Sequence, residues 1–480
     1  MEHKIIKNGL TILTLLLALT LIFKGHALSG EQRSSLIAPD QIQYKPLRFD
    51  LPRPERVVLE NGIVLYILEN HELPLVHIKS LIKTGTLYDP PGKEGAAELT
   101  AYVMRTGGTA TLSSTEVDRQ FDFLAASASV SMFLESAQIN FSVLNNHIDR
   151  GLDLLSQIIT QPAFEQDKLD LAVQLKHEEI RRLKDEPQAL AIREFNRLIY
   201  QNDPRGRFPS HQSLDKIKHD DLVEFHQRFF QPNNAMFAVS GDITKADAIK
   251  YFKKYFSRWQ PGTPFAEAHK PAGKTNAGVY LIHKEIPQSS VISGLYTVGK
   301  NHPDFYAFTL LDFILGSGGF PSRLVNVIRN NEGLAYSAGS FYRARPDYGI
   351  FAGYAFTKTF STLKALSLMD SEIDRATHHT ITESELNWAK KSIINGFIFS
   401  FSTPEQIVWQ QMNIEYERLP ADFLSTYREK IEKVSLDDLN QAAVRYLHNR
   451  EKVVLILGDR KNLDQTAPPK ALIIITPEDE

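Results

Sequence analysis

The chain has 480 residues, of which 42% are apolar and 23% are charged, and its formal net charge is −3. This length and apolar content suffice for two or more packed cores. Acidic and basic residues are interspersed, which excludes the basic surface that nucleic acid or an anionic membrane requires. The sequence contains no cysteine, which excludes disulfide bonds, thiolate zinc ligands and a cysteine nucleophile.

The N-terminal segment has the pattern of a secretory signal peptide. A lysine-bearing start precedes an apolar run from Leu10 to Phe23, and the small residues Gly25 and Ala27 follow. We predict cleavage after Ala27, which removes residues 1–27 and leaves a protein exported to the periplasm. An uncleaved anchor is the alternative, but the apolar run is shorter than the roughly 20 residues that cross a bilayer. We therefore expect no stable membrane span after cleavage.

The first half of the mature chain is predicted to occupy residues 45–260. Val57 to Leu68 contains two β-rich runs around Asn61-Gly62, a dipeptide that supplies the positive φ angles of a tight hairpin. The chain becomes helical at Gly95, and Ser127 to Leu144 alternates as strands. Four later segments have helical periodicity: Thr115 to Ala125, Asp149 to Thr160, Glu165 to Leu183 and Leu190 to Tyr200.

Two segments of the chain are copies of one another. They are KIKHDDLVEFHQRFFQPNNAMFAVSGD, Lys216 to Asp242, and KVSLDDLNQAAVRYLHNREKVVLILGD, Lys433 to Asp459, at a constant distance of 217 residues. Each reads as an amphipathic helix with an acidic start, a polar turn and an apolar strand, and each is predicted to close one half. The segment between the halves is rich in Pro, Gly and Ala, which predicts a linker at 261–276, a second half at 277–472 and an acidic tail at 473–480.

These elements predict an α+β fold with two homologous halves, each a mainly antiparallel sheet covered by helices. The stretch EGAAELTAYVMRTGG, Glu94 to Gly108, carries a Gly-x-Ala helix after an extended Thr-Gly-Thr segment. With the duplication and the export signal, it resembles the insulinase/pitrilysin family of inverted-zincin metallopeptidases, from Arg56 to Asp459. The resemblance implies the mitochondrial-processing-peptidase-like metallohydrolase fold.

The resemblance also implies the position of a zinc site. In that family the helix carries H-x-x-E-H, where two histidines bind zinc and the glutamate is the general base. Here Glu98 and Tyr102 occupy the histidine positions and Ala101 that of the base, while Glu179 matches the ligand on a later helix. One carboxylate does not make a zinc site, so we predict no metal and no catalytic residue in this helix. Tyr102 is expected to fill the vacated site as a core residue, beside Leu99 and Val103.

Histidines elsewhere offer no replacement for the zinc ligands. His177-Glu178 begins like H-E-x-x-H but ends in Arg181, and neighbouring residues such as His378-His379 cannot face one metal together. His219 and His226 are seven residues apart on a predicted surface helix. All of these histidines are predicted to be solvated or capping residues.

The second half keeps another recognisable segment, GSGGFPSRLVNVIRNNEGLAYSAGSFY, Gly316 to Tyr342. It resembles the family's glycine-rich turn, helix and Gly-Leu-Ala-Tyr-Ser strand, so Arg329 and Tyr336 match the family's Arg/Tyr pair. The resemblance implies that these two side chains grip the substrate backbone and polarise its carbonyl. The alternative is an ordinary helix-terminal cation and an ordinary strand residue.

Three functional hypotheses follow. In the first, the chain is the non-catalytic, substrate-gripping subunit of a heterodimeric zinc peptidase of the cell envelope. Zinc is then expected in the partner, a homologous subunit with an intact H-x-x-E-H site, and the substrate is a peptide or an unfolded protein. In the second, it is a metal-free scaffold or peptide-binding protein. The third hypothesis is an active metallopeptidase with atypical ligands, Glu98 and Glu179 together with a further group that the sequence does not identify.

Overall fold

The structure is a computed structural model that describes residues 52–447, 452–464 and 471–477. The predicted signal peptide lies outside the described residues. The predicted α+β fold with two similar halves is confirmed. The first half contains β1 Glu55–Val58, β2 Val64–Glu69, β3 Leu75–Ile82, α1 Ala96–Thr106, α2 Ser114–Phe123, β4 Ser127–Met132, β5 Ala137–Leu144, α3 Ile148–Thr160, α4 Gln166–Leu183, α5 Pro187–Tyr200, α6 His211–Leu214, α7 His219–Phe229, β6 Ala235–Gly241 and α8 Lys245–Phe256.

The second half repeats this order of elements in outline. Two π-helical segments, Phe313–Ser317 and Val325–Asn331, separate its first helix from the next strand. The elements are β7 Gly278–His283, β8 Gln288–Thr297, α9 Phe305–Asp312, β9 Ala335–Ala344, β10 Gly349–Lys358, α10 Thr362–Ala376, α11 Glu383–Phe397, α12 Pro404–Tyr416, α13 Phe423–Lys433, α14 Leu436–Tyr446, β11 Val453–Gly458 and β12 Ile473–Ile475.

Each half is built on a six-stranded sheet. The strand orders are β1-β2-β6-β3-β5-β4 and β12-β7-β11-β8-β10-β9. Most neighbours are antiparallel, as predicted; the parallel pairs are β2 with β6, β7 with β11 and β7 with β12. The hairpin between β1 and β2 turns at the predicted dipeptide, where Gly62 has a φ of +92°. β12 corrects the predicted boundary at residue 472, because Ile473–Ile475 joins the second sheet and is not part of a tail.

The repeated segments form equivalent elements in the two halves. α7 and α14 begin 217 residues apart, and each first turn is closed by an aspartate: Asp221 accepts from the Lys218 N–H at 2.8 Å, and Asp438 from that of Ser435 at 2.9 Å. The acidic start that the sequence shows is therefore a helix cap. Both helices then lead to fully buried strands, β6 and β11.

The two halves exchange one helix each. α5 of the first half places Phe195 in a core with Ile292 and Leu455 of the second sheet, whose neighbours Val454 and Ile456 point into that half's own core. Because side chains alternate along a strand, α5 covers the opposite face of the sheet. α12 does the same for the first sheet, so each sheet is buried on both faces and the halves share their cores.

The two halves are joined by a segment without regular secondary structure. No helix or strand lies between Phe256 and Gly278, the region in which the linker is predicted. Among the described residues, no helix combines the length and the apolar character that a membrane span requires.

Candidate functional site

The start of α1 is fixed by a buried carboxylate. Asp89 accepts hydrogen bonds from the backbone N–H groups of Gly95 at 2.9 Å and Ala97 at 2.7 Å. Burial raises the pKa of Asp89 to about 7, although the two N–H donors favour its ionised form. Gly95 has a φ of +107°, and a Cβ there would lie 2.9 Å from the side chain of Leu214. The Gly-x-Ala signature thus sets the direction in which the helix leaves the sheet.

The face of α1 that should bear metal ligands is split between core and solvent. Leu99 and Val103 are buried as predicted, and Ala101 is only 2% exposed. Tyr102 is 40% exposed, so the prediction that it fills the core is wrong. The physical reason is the width of the buried stripe, which already contains Thr100 and Ala101 and leaves the Glu98–Tyr102 edge outside it.

A lysine lies between the two remaining carboxylates of the vacated metal site. The Lys176 ammonium is 2.6 Å from Glu98 on α1 and 2.8 Å from Glu179 on α4. We call these residues the Lys176 triad. The Lys176 side chain is 17% exposed. Burial alone would lower its pKa, but the two carboxylates outweigh burial, so the pKa is raised and the ammonium stays charged.

These residues do not fit a zinc ion. Zinc binds the lone pairs of imidazole, thiolate or carboxylate ligands, whereas a protonated amine has no lone pair to donate. Here the only two carboxylates at the family's ligand positions, Glu98 and Glu179, are occupied by the Lys176 ammonium. In the part of the chain that the structure describes, no group of three or more His, Cys, Asp or Glu side chains is arranged to hold a metal.

Two histidines depart from the prediction of solvated or capping residues. His226 is buried and its Nε2 is 2.8 Å from the carbonyl of Ile159, while burial lowers its pKa and favours the neutral ring. It belongs to the apolar stripe of α7, with Leu222 and Phe229. His177 stacks on His211, with their Nδ1 atoms 2.6 Å apart. The prediction is therefore wrong for His177 and His226. The packed face of each helix is wider than the polar character of its sequence suggests.

Arg329 and Tyr336 are brought together by two irregularities of the backbone. Arg329 lies in the π-helical segment Val325–Asn331. On β9, Ala335 pairs with Thr357 and Ser337 with Phe356, so Tyr336 is the extra residue of a β-bulge. Its side chain is 86% exposed. Both kinds of irregularity are frequent at functional sites, because they redirect one side chain without altering the surrounding element.

The Arg329 guanidinium lies close to two aromatic rings. Its central carbon is 5.1 Å from the ring centroid of Tyr336 and 4.7 Å from that of Phe320, which is 62% exposed. We call Phe320, Arg329 and Tyr336 the Arg329 cluster. No carboxylate among the described residues pairs with Arg329. By contrast, Arg323 is buried and forms a two-fold ion pair with Glu385, at 2.6 and 2.9 Å.

Sequence reasoning missed Lys176 and Phe320. Lys176 is one helical turn before Glu179, so the signal was a cation on the same face as the leftover ligand. Phe320 directly follows the Gly316–Gly319 turn, so the signal was an aromatic residue beside the glycine-rich segment that precedes Arg329. The two sites are on different halves, and no hydrogen bond, ion pair or ring contact between described residues joins them.

A polar cavity of about 310 Å³ lies where the two halves and the segment 261–276 meet. On its wall, Glu135 accepts from Arg205 at 3.1 Å and from the Tyr348 hydroxyl at 3.2 Å, and Tyr416 donates to the Glu135 carbonyl at 2.7 Å. Because these polar groups are satisfied within the chain, they cross-link the halves, and the Arg329 cluster is the better candidate for a binding site.

Fold and site together define a class: a duplicated α+β protein of metallopeptidase type whose own metal shell has been replaced by an internal ion triad. Residues 65–208 match the family model described as Insulinase (Peptidase family M16), and residues 216–393 match Peptidase M16 inactive domain. The chain belongs to the insulinase family, peptidase family M16, and lacks the family's metal motif.

Three similar proteins illustrate the range of the family. An "Uncharacterized zinc protease" of Rickettsia bellii is 25% identical over 392 residues, covering 77% of this chain and 92% of that protein. The "Non-peptidase homolog YmxG" of Helicobacter pylori is 24% identical, over 82% of this chain and 91% of that protein. The crystal structure of a peptidase M16 inactive domain from Pseudomonas fluorescens superposes with a TM-score of 0.77 at 22% identity, covering 85% of this chain and 98% of that one. This last likeness shows the fold.

Proposed function

We propose that this chain is the non-catalytic, substrate-gripping subunit of a heterodimeric zinc metallopeptidase of the cell envelope. A homologous partner with an intact H-x-x-E-H helix supplies the zinc, and this chain supplies Arg329 and Tyr336. The proposal rests on a difference between the charged sites of the two halves. The metal positions of the first half are closed by Lys176, while Arg329 in the second half has no carboxylate partner among the described residues.

The chemistry of the two sites supports this division of labour. Hydrolysis by zinc requires a metal-bound water and a general base, and position 101 carries a methyl group where the base would be. A guanidinium and a phenol can still donate hydrogen bonds to the carbonyl of a bound peptide, and a partner's zinc site can supply the missing groups. The predicted signal peptide supports a periplasmic location, where such a pair would meet exported peptides or unfolded proteins.

The test is reconstitution. The chain is purified alone and with the product of a neighbouring gene that encodes an intact H-x-x-E-H helix, and zinc content and cleavage of a quenched fluorescent peptide are measured. We expect no bound zinc and no cleavage for the chain alone, one zinc per heterodimer, and cleavage that requires both chains. If the partner cleaves the peptide equally well without this chain, the scaffold hypothesis is favoured. Zinc bound by the isolated chain, with cleavage that a chelator abolishes, would favour the atypical-ligand hypothesis.

A further inference from the structure

The Arg329 cluster presents a cation beside two exposed aromatic rings. Phe320 and Tyr336 are both largely exposed, and each ring lies within about 5 Å of the guanidinium carbon. Exposed aromatic side chains that group around one charge are a marker of a binding surface. Two rings that only filled space would be expected to turn inward.

The backbone holds Phe320 in place beside Arg329. The Asn330 amide donates to the Phe320 carbonyl at 3.3 Å, which joins the glycine-rich turn to the π-helical segment. Ser322 closes the same turn by donating to the Gly319 carbonyl at 2.6 Å. The glycine-rich turn that carries Phe320 is therefore joined by a hydrogen bond to the segment that carries Arg329.

The geometry restricts what can bind. The N–H donors of the Arg329 guanidinium form a planar fork. A carboxylate accepts two parallel hydrogen bonds from such a fork and brings a negative charge to the cation, whereas a neutral carbonyl oxygen accepts a weaker hydrogen bond. The nearest acidic residue in sequence, Glu332, is already paired with Lys364 at 2.5 Å. No carboxylate of the described residues pairs with the guanidinium, which leaves it free to pair with a carboxylate of another molecule.

We propose that the Arg329 cluster binds a carboxylate of an extended peptide, with Phe320 as the second aromatic wall that orients the guanidinium. The carboxylate belongs to an acidic side chain or to the C-terminus of the peptide. This inference rests on the proposed role of Arg329 and Tyr336 in gripping peptide, and it adds the substrate class and a further residue. The two rings displace water from the cation, which strengthens its pairing with an anion.

The test uses the purified chain without a partner and fluorescein-labelled nonapeptides of glycine, serine and valine. One peptide carries a central glutamate and an amidated C-terminus, a second replaces the glutamate with glutamine, and a third has glutamine and a free C-terminal carboxylate. Fluorescence anisotropy gives each Kd. We expect the glutamine amide to bind at least about tenfold more weakly than one of the two carboxylate peptides. The better of these two identifies the source of the carboxylate.

Variants then assign the effect to the cluster. Phe320→Leu should weaken carboxylate binding about two- to fivefold, Phe320→Tyr should restore it, and Arg329→Ala should abolish the preference. The matched control is Phe123→Leu, an exposed phenylalanine in the first half, which should change nothing. Equal affinity for all three peptides, or an unchanged preference in Phe320→Leu, would overturn the inference.

The outcome is separable from that of the proposed function. A carboxylate preference without any requirement for this chain in cleavage would reject the peptidase partnership and keep the binding site. Cleavage that needs Arg329, combined with equal binding of all three peptides, would reject only the carboxylate site.

Discussion

The Lys176 triad and the Arg329 cluster are two charged sites of opposite construction. In the triad, one ammonium is shared by two carboxylates of the same chain, so the cation is neutralised internally and one negative charge remains. In the cluster, the guanidinium lies near two exposed rings and pairs with no carboxylate of the described residues. This difference shows whether the charges of each half act within the chain or toward another molecule. The first half has turned a metal position into a link between α1 and α4, and the second keeps a cation available to another molecule.

The largest effect is expected for a substitution of Arg329. In the complex with a zinc-bearing partner, Arg329→Ala should lower kcat/KM about 100- to 1,000-fold, the cost of removing one donor to the developing oxyanion. The free energy of unfolding should change by less than about 0.5 kcal/mol, because the guanidinium has no ion pair among the described residues and the two rings beside it are exposed. Peptide cleavage kinetics and urea denaturation measure the two quantities.

A control for this variant exists in the first half. Arg119 is an exposed arginine on α2, paired with Glu116 at 2.6 Å, and Arg119→Ala should leave both quantities unchanged. Undiminished cleavage by the Arg329→Ala complex would remove the distinction between the two sites.

The opposite pattern is expected for Lys176. Lys176→Met leaves Glu98 and Glu179 facing each other without a cation, and should lower the free energy of unfolding by about 1–3 kcal/mol, less than for a fully buried pair because Glu179 is exposed. Cleavage by the complex should be unaffected. Adding Glu98→Gln should recover part of the loss in urea denaturation. A stability unchanged by Lys176→Met would mean that the triad contributes no link between the helices.

The sequence predicted the fold better than it predicted these two sites. Periodicity and the 217-residue repeat are local patterns, so the sheets, the helices and the duplication could be read directly. The exposure of Tyr102 could not, because a helical stripe does not reveal which of its edges a neighbouring helix covers. The contact of Arg329 with Phe320 depends on a π-helical segment and a bulge, each of which breaks the period on which such predictions depend. The pairing of Lys176 with Glu98 required knowledge of how α1 packs on α4.

Metal binding can reveal whether Lys176 itself closes the site. The variant Glu98→His with Tyr102→His restores two imidazoles beside Glu179, but we expect the Lys176 ammonium to compete for the carboxylate and repel the ion. Adding Lys176→Ala should therefore tighten zinc binding at least about tenfold, as measured by competition with a zinc-sensitive dye. Equal zinc affinity with and without Lys176 would show that the geometry of the helices, and not the ammonium, excludes the metal.

The smallest expected effect is the pH dependence of the triad. Because the pKa of Lys176 is raised above its unfolded value of about 10.4, its contribution to stability is fully present below that pH and is lost as pH rises through the folded pKa. The difference in unfolding free energy between the parent chain and Lys176→Met should thus be constant from pH 7 to about pH 10 and shrink above it. Subtracting the variant at each pH cancels the other lysines and tyrosines that titrate in this range. A difference that persists unchanged to pH 11 would mean that the Lys176 side chain stabilises the helices by packing and not by its charge, and the contrast with Arg329 would then concern exposure alone.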